Sequence, residues 1–125
     1  MLNFSVSFKS GIPIYEQVVY AVKKAIVSGR LKSGDAFPSV REISRELKIN
    51  PNTVQKVINH LVQAKLLEIR PGIGSVVAEI SEATLEQIQQ ILQTEVERLV
   101  IESKRLSIKK KELFDAINEY WHEGK

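Results

Sequence analysis

A group of hydrogen-bonding side chains lies near the middle of the chain, at positions 50 to 56. The group comprises Asn50, Asn52, Thr53, Gln55 and Lys56. A side-chain amide both donates and accepts, so an Asn or a Gln can form two hydrogen bonds to one planar partner, and a lysine adds attraction for an anion. These residue types indicate a surface for a flat, hydrogen-bonding and negatively charged partner.

Residues suited to catalysis or metal binding are scarce. The sequence has no cysteine, and its two histidines, His60 and His122, are far apart along the chain. The lack of cysteine excludes disulfides, thiolate nucleophiles and cysteine-ligated zinc. No phosphate-binding glycine loop and no paired carboxylates define an active site. We therefore expect a protein that is not an enzyme and that uses no cofactor and no metal.

Charge is distributed unevenly along the 125 residues, although the net charge is only +3. Residues 1–77 hold 11 Lys and Arg against 5 Asp and Glu, and residues 78–125 hold 7 against 10. The basic first part suggests a polyanionic partner, and the acidic second part suggests a separate role. No apolar run approaches the ~20 residues of a membrane span, and no signal-peptide pattern is present. We expect a cytoplasmic protein with no membrane partner.

Three helices are expected to position the polar group. Apolar residues at spacings of three and four predict a first helix over residues 14–28. Ser39 followed by Glu42 has the spacing of a capping box, which starts a second helix. Asn50 and Pro51 are favoured at the cap and the first position of a third helix, which is expected to end near residue 64. Only about three residues separate the second helix from the third.

The predicted third helix has two contrasting faces. With 100° per residue, one arc is apolar and the opposite arc is wholly polar. The apolar arc contains Val54, Val57, Ile58 and Leu61, and the polar arc contains Asn52, Lys56, Asn59 and Gln63. The apolar face is expected to pack inside the domain, which leaves the polar face available to a partner.

A β-hairpin is predicted directly after the third helix. Two short strands, residues 66–70 and 75–78, flank the turn-forming residues 71–74. Helix, helix, short turn, helix and hairpin is the element order of a winged helix-turn-helix. In that fold the second helix of the pair enters the major groove of DNA, where Asn and Gln recognise adenine and Lys recognises guanine or phosphate. Residues 1–78 are therefore predicted to form a DNA-binding domain.

Five motifs resemble those of the DNA-binding domain of the GntR family of bacterial regulators. They are PIYEQV at 13–18, GRLKSGD at 29–35, PSVRE at 38–42, INPNTV at 49–54 and GIGSVV at 72–77. The INPNTV version, the early PIYEQV motif and the short tail resemble the YtrA subfamily. The resemblance implies a regulator, with repression as the expected mode, that binds a roughly palindromic double-stranded DNA operator as a homodimer.

The resemblance also implies which residues contact the operator. Transferred position by position, they are Arg41, Asn50, Asn52, Thr53, Gln55 and Gly72, and we add Lys56 from its place on the polar face. Asn50 can also act purely as a helix cap, and Gly72 can serve only the geometry of its turn. At Pro51 and Gln55 the chain lacks the arginines of many family members, and Lys65 stands where a glycine usually ends the third helix.

The remaining residues, 79–125, predict a helical dimerisation tail. Nearly heptad apolar spacing from Ser81 predicts a helix of about 23 residues, roughly 35 Å long, and a shorter helix is expected over residues 107–122. An exposed apolar stripe needs a second surface, which a symmetric homodimer supplies. The residues expected at that interface are Leu85, Ile88, Leu92, Val96, Leu99, Leu106, Phe114, Ile117 and Trp121. The predicted fold is mainly α with a small β-hairpin.

Two further interpretations stay open from the sequence. One is a protein-interaction module that keeps the winged helix as a scaffold and binds its partner through the tail. The polar outer face of the third helix and Arg41 favour DNA binding over this alternative. The other is an unidentified small-molecule effector, which is suggested only by Tyr120 and Trp121 in the tail.

Overall fold

The computed structural model describes residues 2–79 and 82–123, which divide into two compact units with a boundary at residues 80–81. The first unit contains helices α1 (Ile14–Val27), α2 (Val40–Leu47) and α3 (Pro51–Gln63), followed by strands β1 (Leu67–Arg70) and β2 (Gly74–Val77). The second contains α4 (Leu85–Gln89), a π-helical segment (Gln90–Glu95), α5 (Val96–Arg105) and α6 (Lys110–Glu123). Within the described ranges, no helix is long and apolar enough to cross a membrane.

Side-chain caps fix where α2 and α3 begin. The Ser39 hydroxyl accepts a hydrogen bond from the backbone N–H of Glu42 at 3.1 Å. The Asn50 side-chain oxygen accepts from the N–H of Asn52 at 2.8 Å, and Pro51 occupies the first turn of α3. Each cap satisfies a backbone N–H that has no partner within its helix. The predicted starts of both helices are confirmed.

Non-glycine residues in the left-handed conformation close three of the helices, and the first of them is Lys48 after α2, with φ 55°. Lys65, with φ 63°, follows α3, and its N–H donates to the carbonyl of Val62 at 3.0 Å. Ser107, with φ 60°, follows α5, and its N–H donates to the carbonyl of Lys104 at 3.1 Å. Glycine is the usual residue at such positions because a Cβ atom is crowded there.

The core of the first unit is formed by the inner faces of its three helices together with the hairpin. Its largest fully buried side chains are Val18, Val22, Leu31, Ile43, Val54, Val57 and Leu61. The Tyr15 hydroxyl lies 2.7 Å from Nδ1 of His60, which joins α1 to α3 at the edge of this core. The N-terminal segment is attached by Phe4, whose ring stacks on that of Phe37 at 5.7 Å between centroids.

The hairpin is extended by a segment of the loop between α1 and α2. Residues 34–37 lie beside β2. The N–H groups of Gly34 and Phe37 donate to the carbonyls of Val77 and Ser75 at 2.8 and 2.9 Å. The N–H of Val77 donates back to Asp35 at 2.8 Å. The loop between α1 and α2 therefore anchors the hairpin to the helices.

The first helix of the tail begins later than predicted. The predicted start, Ser81, lies outside the described residues, and residues 82–84 are not helical. The helix begins at Leu85 because Thr84 and Gln87 form a capping box. The Thr84 hydroxyl accepts from the N–H of Gln87 at 3.1 Å, and the Gln87 side chain accepts from the N–H of Thr84 at 2.9 Å.

The long tail helix predicted from the sequence is observed as a continuous helical run from Leu85 to Arg105, but it is not α-helical throughout. The six residues Gln90–Glu95 form a π-helical segment between α4 and α5. The predicted start of the last helix at residue 107 is wrong. Ser107 has a left-handed backbone, and α6 begins only at Lys110.

Candidate nucleic-acid interface

The turn between α2 and α3 holds the start of α3 in a fixed position. Lys48 adopts the left-handed conformation with φ 55°. The Ser44 hydroxyl then donates to the carbonyl of Ile49 at 2.6 Å, and the N–H of Ile49 donates to the carbonyl of Ser44 at 3.2 Å. These bonds and the Asn50 cap order every residue of the turn, so the polar side chains that follow stand on a rigid support.

Helix α3 buries its apolar face and exposes its polar face, as the sequence predicts. Val54, Val57, Ile58 and Leu61 are at most 4% exposed. Asn52, Gln55 and Lys56 are exposed, and Thr53 is half-buried. The structure therefore brings these four predicted contact residues together on the first two turns of α3.

Gln55, a predicted contact residue, forms an amide pair on α3 with Asn59, which the predicted contact set did not include. The Gln55 side chain donates from Nε2 to Oδ1 of Asn59 at 2.9 Å, one helical turn further along. This bond orients the Gln55 side chain in the unbound protein. The carbonyl oxygen of the Gln55 amide takes no part in it. The i,i+4 spacing of two amides on the polar arc is the sequence signal that indicates this pair.

Arg41 lies near the start of α2 and is exposed. No salt bridge involving Arg41 occurs among the described residues. A cation at the N-terminal end of a helix is disfavoured by the helix dipole, which makes an anion the favoured partner both for the helix end and for the guanidinium. Arg41 is thus suited to a phosphate group.

Gly72 lies at the tip of the hairpin with φ +77°, where a side chain would be strained. A Cβ atom built on it would meet nothing within 4 Å, so its requirement for glycine comes from the backbone conformation and not from crowding inside the chain. The next residue, Ile73, is 72% exposed. The tip therefore exposes its backbone at Gly72 and the apolar side chains of Pro71 and Ile73.

The residues predicted for dimerisation are all exposed apolar side chains of the second unit. Their exposed fractions run from 42% to 79% for Leu85, Ile88, Leu92, Val96, Leu99, Leu106, Phe114, Ile117 and Trp121. A set of this size has no covering partner among the residues that the structure describes, and such surfaces mark sites of association. Within those residues no group of His, Asp and Glu side chains is arranged to hold a metal ion.

Three helices, a short turn between the second and third, and a hairpin anchored beside them define a winged helix-turn-helix, a class of DNA-binding domain. The family model of bacterial regulatory proteins of the gntR family matches residues 14–77. That range contains the three helices and the hairpin. The chain therefore belongs to the GntR family, and it is a DNA-binding transcriptional regulator.

Comparisons over the whole chain extend the similarity into the tail. The HTH-type transcriptional regulator YhcF of Bacillus subtilis is 32% identical over 94% of this chain and 97% of its own length. The HTH-type transcriptional repressor YtrA of Bacillus subtilis is 31% identical over 89% of this chain and 86% of its own length. The chain is a YtrA-like member of the family.

A solved structure has the same organisation. The crystal structure of a transcriptional antiterminator from Listeria monocytogenes EGD-e superimposes with a TM-score of 0.83 and 27% sequence identity. The match covers 94% of this chain and 88% of that one, so it includes both the winged helix and the tail.

Proposed function

We propose that the protein binds a roughly palindromic DNA operator as a homodimer and represses transcription by blocking a promoter. The observation that carries the proposal is the exposed polar surface on the first two turns of α3, held by a rigid turn and an N-cap. The protein acts in this proposal by binding and not by catalysis, and it acts in the cytoplasm because bacterial DNA lies there.

The proposed contacts divide by chemistry. Asn52 and Gln55 recognise base edges in the major groove, because a side-chain amide matches the donor and acceptor pattern of adenine. Lys56 and Arg41 bind phosphate groups. Thr53 and the amide nitrogen of Asn50, which takes no part in the cap, add hydrogen-bonding groups to the same surface. The backbone at Gly72 approaches the DNA beside α3.

Dimerisation is proposed to occur through the exposed apolar surface of the tail. Burial of apolar side chains stabilises association by roughly 25 cal/mol per Å² removed from water. A symmetric pair repeats the same recognition helix about a two-fold axis, so the two copies read two inverted half-sites. This symmetry is what makes a palindromic operator the expected target.

Repression is the proposed mode because the whole-length relative YtrA is named a repressor. A dimer that covers two half-sites within a promoter excludes other proteins from the same DNA. A small-molecule effector that modulates this binding is a further part of the proposal.

Selection from a library of random duplexes tests the proposed operator binding. We expect the purified protein to enrich one inverted repeat. The Asn52→Ala variant should relax the preference at one base pair in each half-site, at a cost of about 1–3 kcal/mol for the preferred base. Gln63→Ala, at the far end of the same polar face, is the matched control and should keep the wild-type preference. Enrichment of no sequence, or of a direct repeat, would contradict the proposal.

A further inference from the structure

A groove lies on the first unit between the N-terminal segment and α1. Its volume is about 690 Å³, within the ~300–1,000 Å³ that small-molecule sites occupy. Val6, Ile12 and Tyr20 contribute apolar surface, and Lys9, Lys24 and Glu16 contribute charge. A smaller hollow of about 160 Å³ shares Lys24 with this groove and adds Arg30.

Both ends of the N-terminal wall are held in place. Phe4 is buried and stacks on Phe37. The Gln17 side chain accepts from the N–H of Lys9 at 2.8 Å and donates to the carbonyls of Lys9 and Ile12 at 2.9 and 2.8 Å. The groove is thus a formed feature of the unit and not a gap beside a loose strand.

The charge around the groove is unbalanced. The side-chain cations of Lys9, Lys24 and Arg30 form no salt bridge within the described part of the chain, and Glu16 is the one carboxylate among the lining residues. Tyr20 is 68% exposed, although an aromatic ring gains by being covered. Free cations beside an uncovered ring favour a ligand with an anionic head and an apolar body.

This groove is separate from the proposed DNA surface. The opposite face of α1 packs inside the unit, where Val18 and Val22 are fully buried and Tyr15 bonds to His60 of α3. Glu16, Tyr20 and Lys24 are exposed on the other side of the helix. The groove therefore lies on the face of α1 that points away from α3.

We propose that the groove between the N-terminal segment and α1 binds a small organic anion with an apolar body. Lys24, supported by Lys9 and Arg30, binds the carboxylate or phosphate head. Tyr20 and Ile12 cover the body. The inference does not depend on operator binding, because occupancy of the groove is measured without DNA.

Calorimetric titration with four probes tests this site on the full chain. Benzoate and phenyl phosphate combine an anionic head with a ring, benzamide lacks the charge, and inorganic phosphate lacks the ring. We expect saturable binding of at least one of the first two, which identifies the head, and weaker binding of both benzamide and inorganic phosphate. Lys24→Gln should lower the affinity for the bound probe by about tenfold or more, as expected for loss of a charged hydrogen bond.

The matched control is Lys23→Gln, an exposed lysine of α1 that does not line the groove. It should leave the affinity unchanged, and Tyr20→Ala should weaken the probe with the ring while circular dichroism shows an intact fold. Equal losses in Lys23→Gln and Lys24→Gln, or equal binding of all four probes, would overturn the proposal. Displacement of the probe by a short non-operator duplex would overturn it too, because the groove would then bind the DNA backbone.

Discussion

Lys56 has the most specific expected effect among the single side chains of the DNA surface. It is exposed on the polar face of α3, where its ammonium group can neutralise one phosphate. Each neutralised phosphate releases condensed counterions, so Lys56→Ala should lower the slope of log affinity against log salt by about one unit. The base preference of the Lys56→Ala variant should remain that of the wild type.

Fluorescence anisotropy at several salt concentrations measures this slope. Lys65→Ala, which removes a lysine that follows the last turn of α3, is the control and should keep the wild-type slope. An unchanged slope in Lys56→Ala, or a changed base preference, would show that Lys56 does not act on phosphate.

Substitution of Lys65 also tests the backbone geometry at the end of α3. The left-handed conformation with φ 63° costs a side-chain-bearing residue about 1–2 kcal/mol, and glycine avoids that cost while losing part of the gain to its freedom in the unfolded chain. Lys65→Gly should therefore raise the free energy of unfolding by roughly 0.5–1 kcal/mol. Urea unfolding at fixed protein concentration measures the change. Lys65→Ala keeps the Cβ atom and should show no such gain, and a destabilised Lys65→Gly would refute the assigned geometry.

At the start of α3, Asn50 has an observed structural role as the helix cap and a proposed role in DNA binding. The cap uses the side-chain oxygen of Asn50, which leaves its amide nitrogen available to DNA. Asn50→Ala should lower the free energy of unfolding by about 1 kcal/mol, whereas Asn50→Ser keeps a capping oxygen and should stay close to the wild type.

Asn50→Ser then separates the two roles in a DNA titration. We expect it to lose affinity for the operator although its stability is preserved, because serine lacks the amide nitrogen. Wild-type affinity in Asn50→Ser would show that Asn50 acts only as a cap.

Local signals predicted the elements that depend on local interactions. Ser39 and Asn50 are capping residues, and both helix starts are observed where these residues predict them. The glycine-rich turn at residues 71–74 likewise predicts the hairpin. Each signal acts over a few residues, so the sequence alone contains it.

Features that depend on distant partners were not predicted. Residues 34–37 pair with β2 across about forty positions of sequence, and no local pattern in that segment indicates a strand. The π-helical segment at Gln90–Glu95 was not predicted for another reason. Spacings of three and four report only the mean period of a helix, and one wider turn barely changes it. The contact between Tyr15 and His60 also requires α1 and α3 to be docked first.

At the scale of the whole molecule, dimerisation through the tail can be tested by placing a charge in its apolar surface. Leu99 is 45% exposed in the single chain and belongs to the proposed interface. Leu99→Glu should shift the protein toward monomer, because burying an unpaired carboxylate in an apolar interface costs several kcal/mol. Light scattering coupled to size-exclusion chromatography measures the mass.

Arg98→Glu introduces the same residue at the neighbouring exposed position and should remain a dimer. Loss of the dimer should also weaken operator binding, because the second half-site no longer benefits from a linked partner. A dimeric Leu99→Glu variant, or equal dissociation of both variants, would place the interface elsewhere.

We propose that two copies of this chain bind operator DNA specifically. Anisotropy titration of the purified protein against the DNA upstream of its own gene and against a scrambled duplex, at two salt concentrations, measures this binding. We predict two chains per duplex and a preference for the native sequence of about a thousandfold or more. Equal, salt-sensitive binding of both duplexes, or one chain per duplex, would contradict the claim.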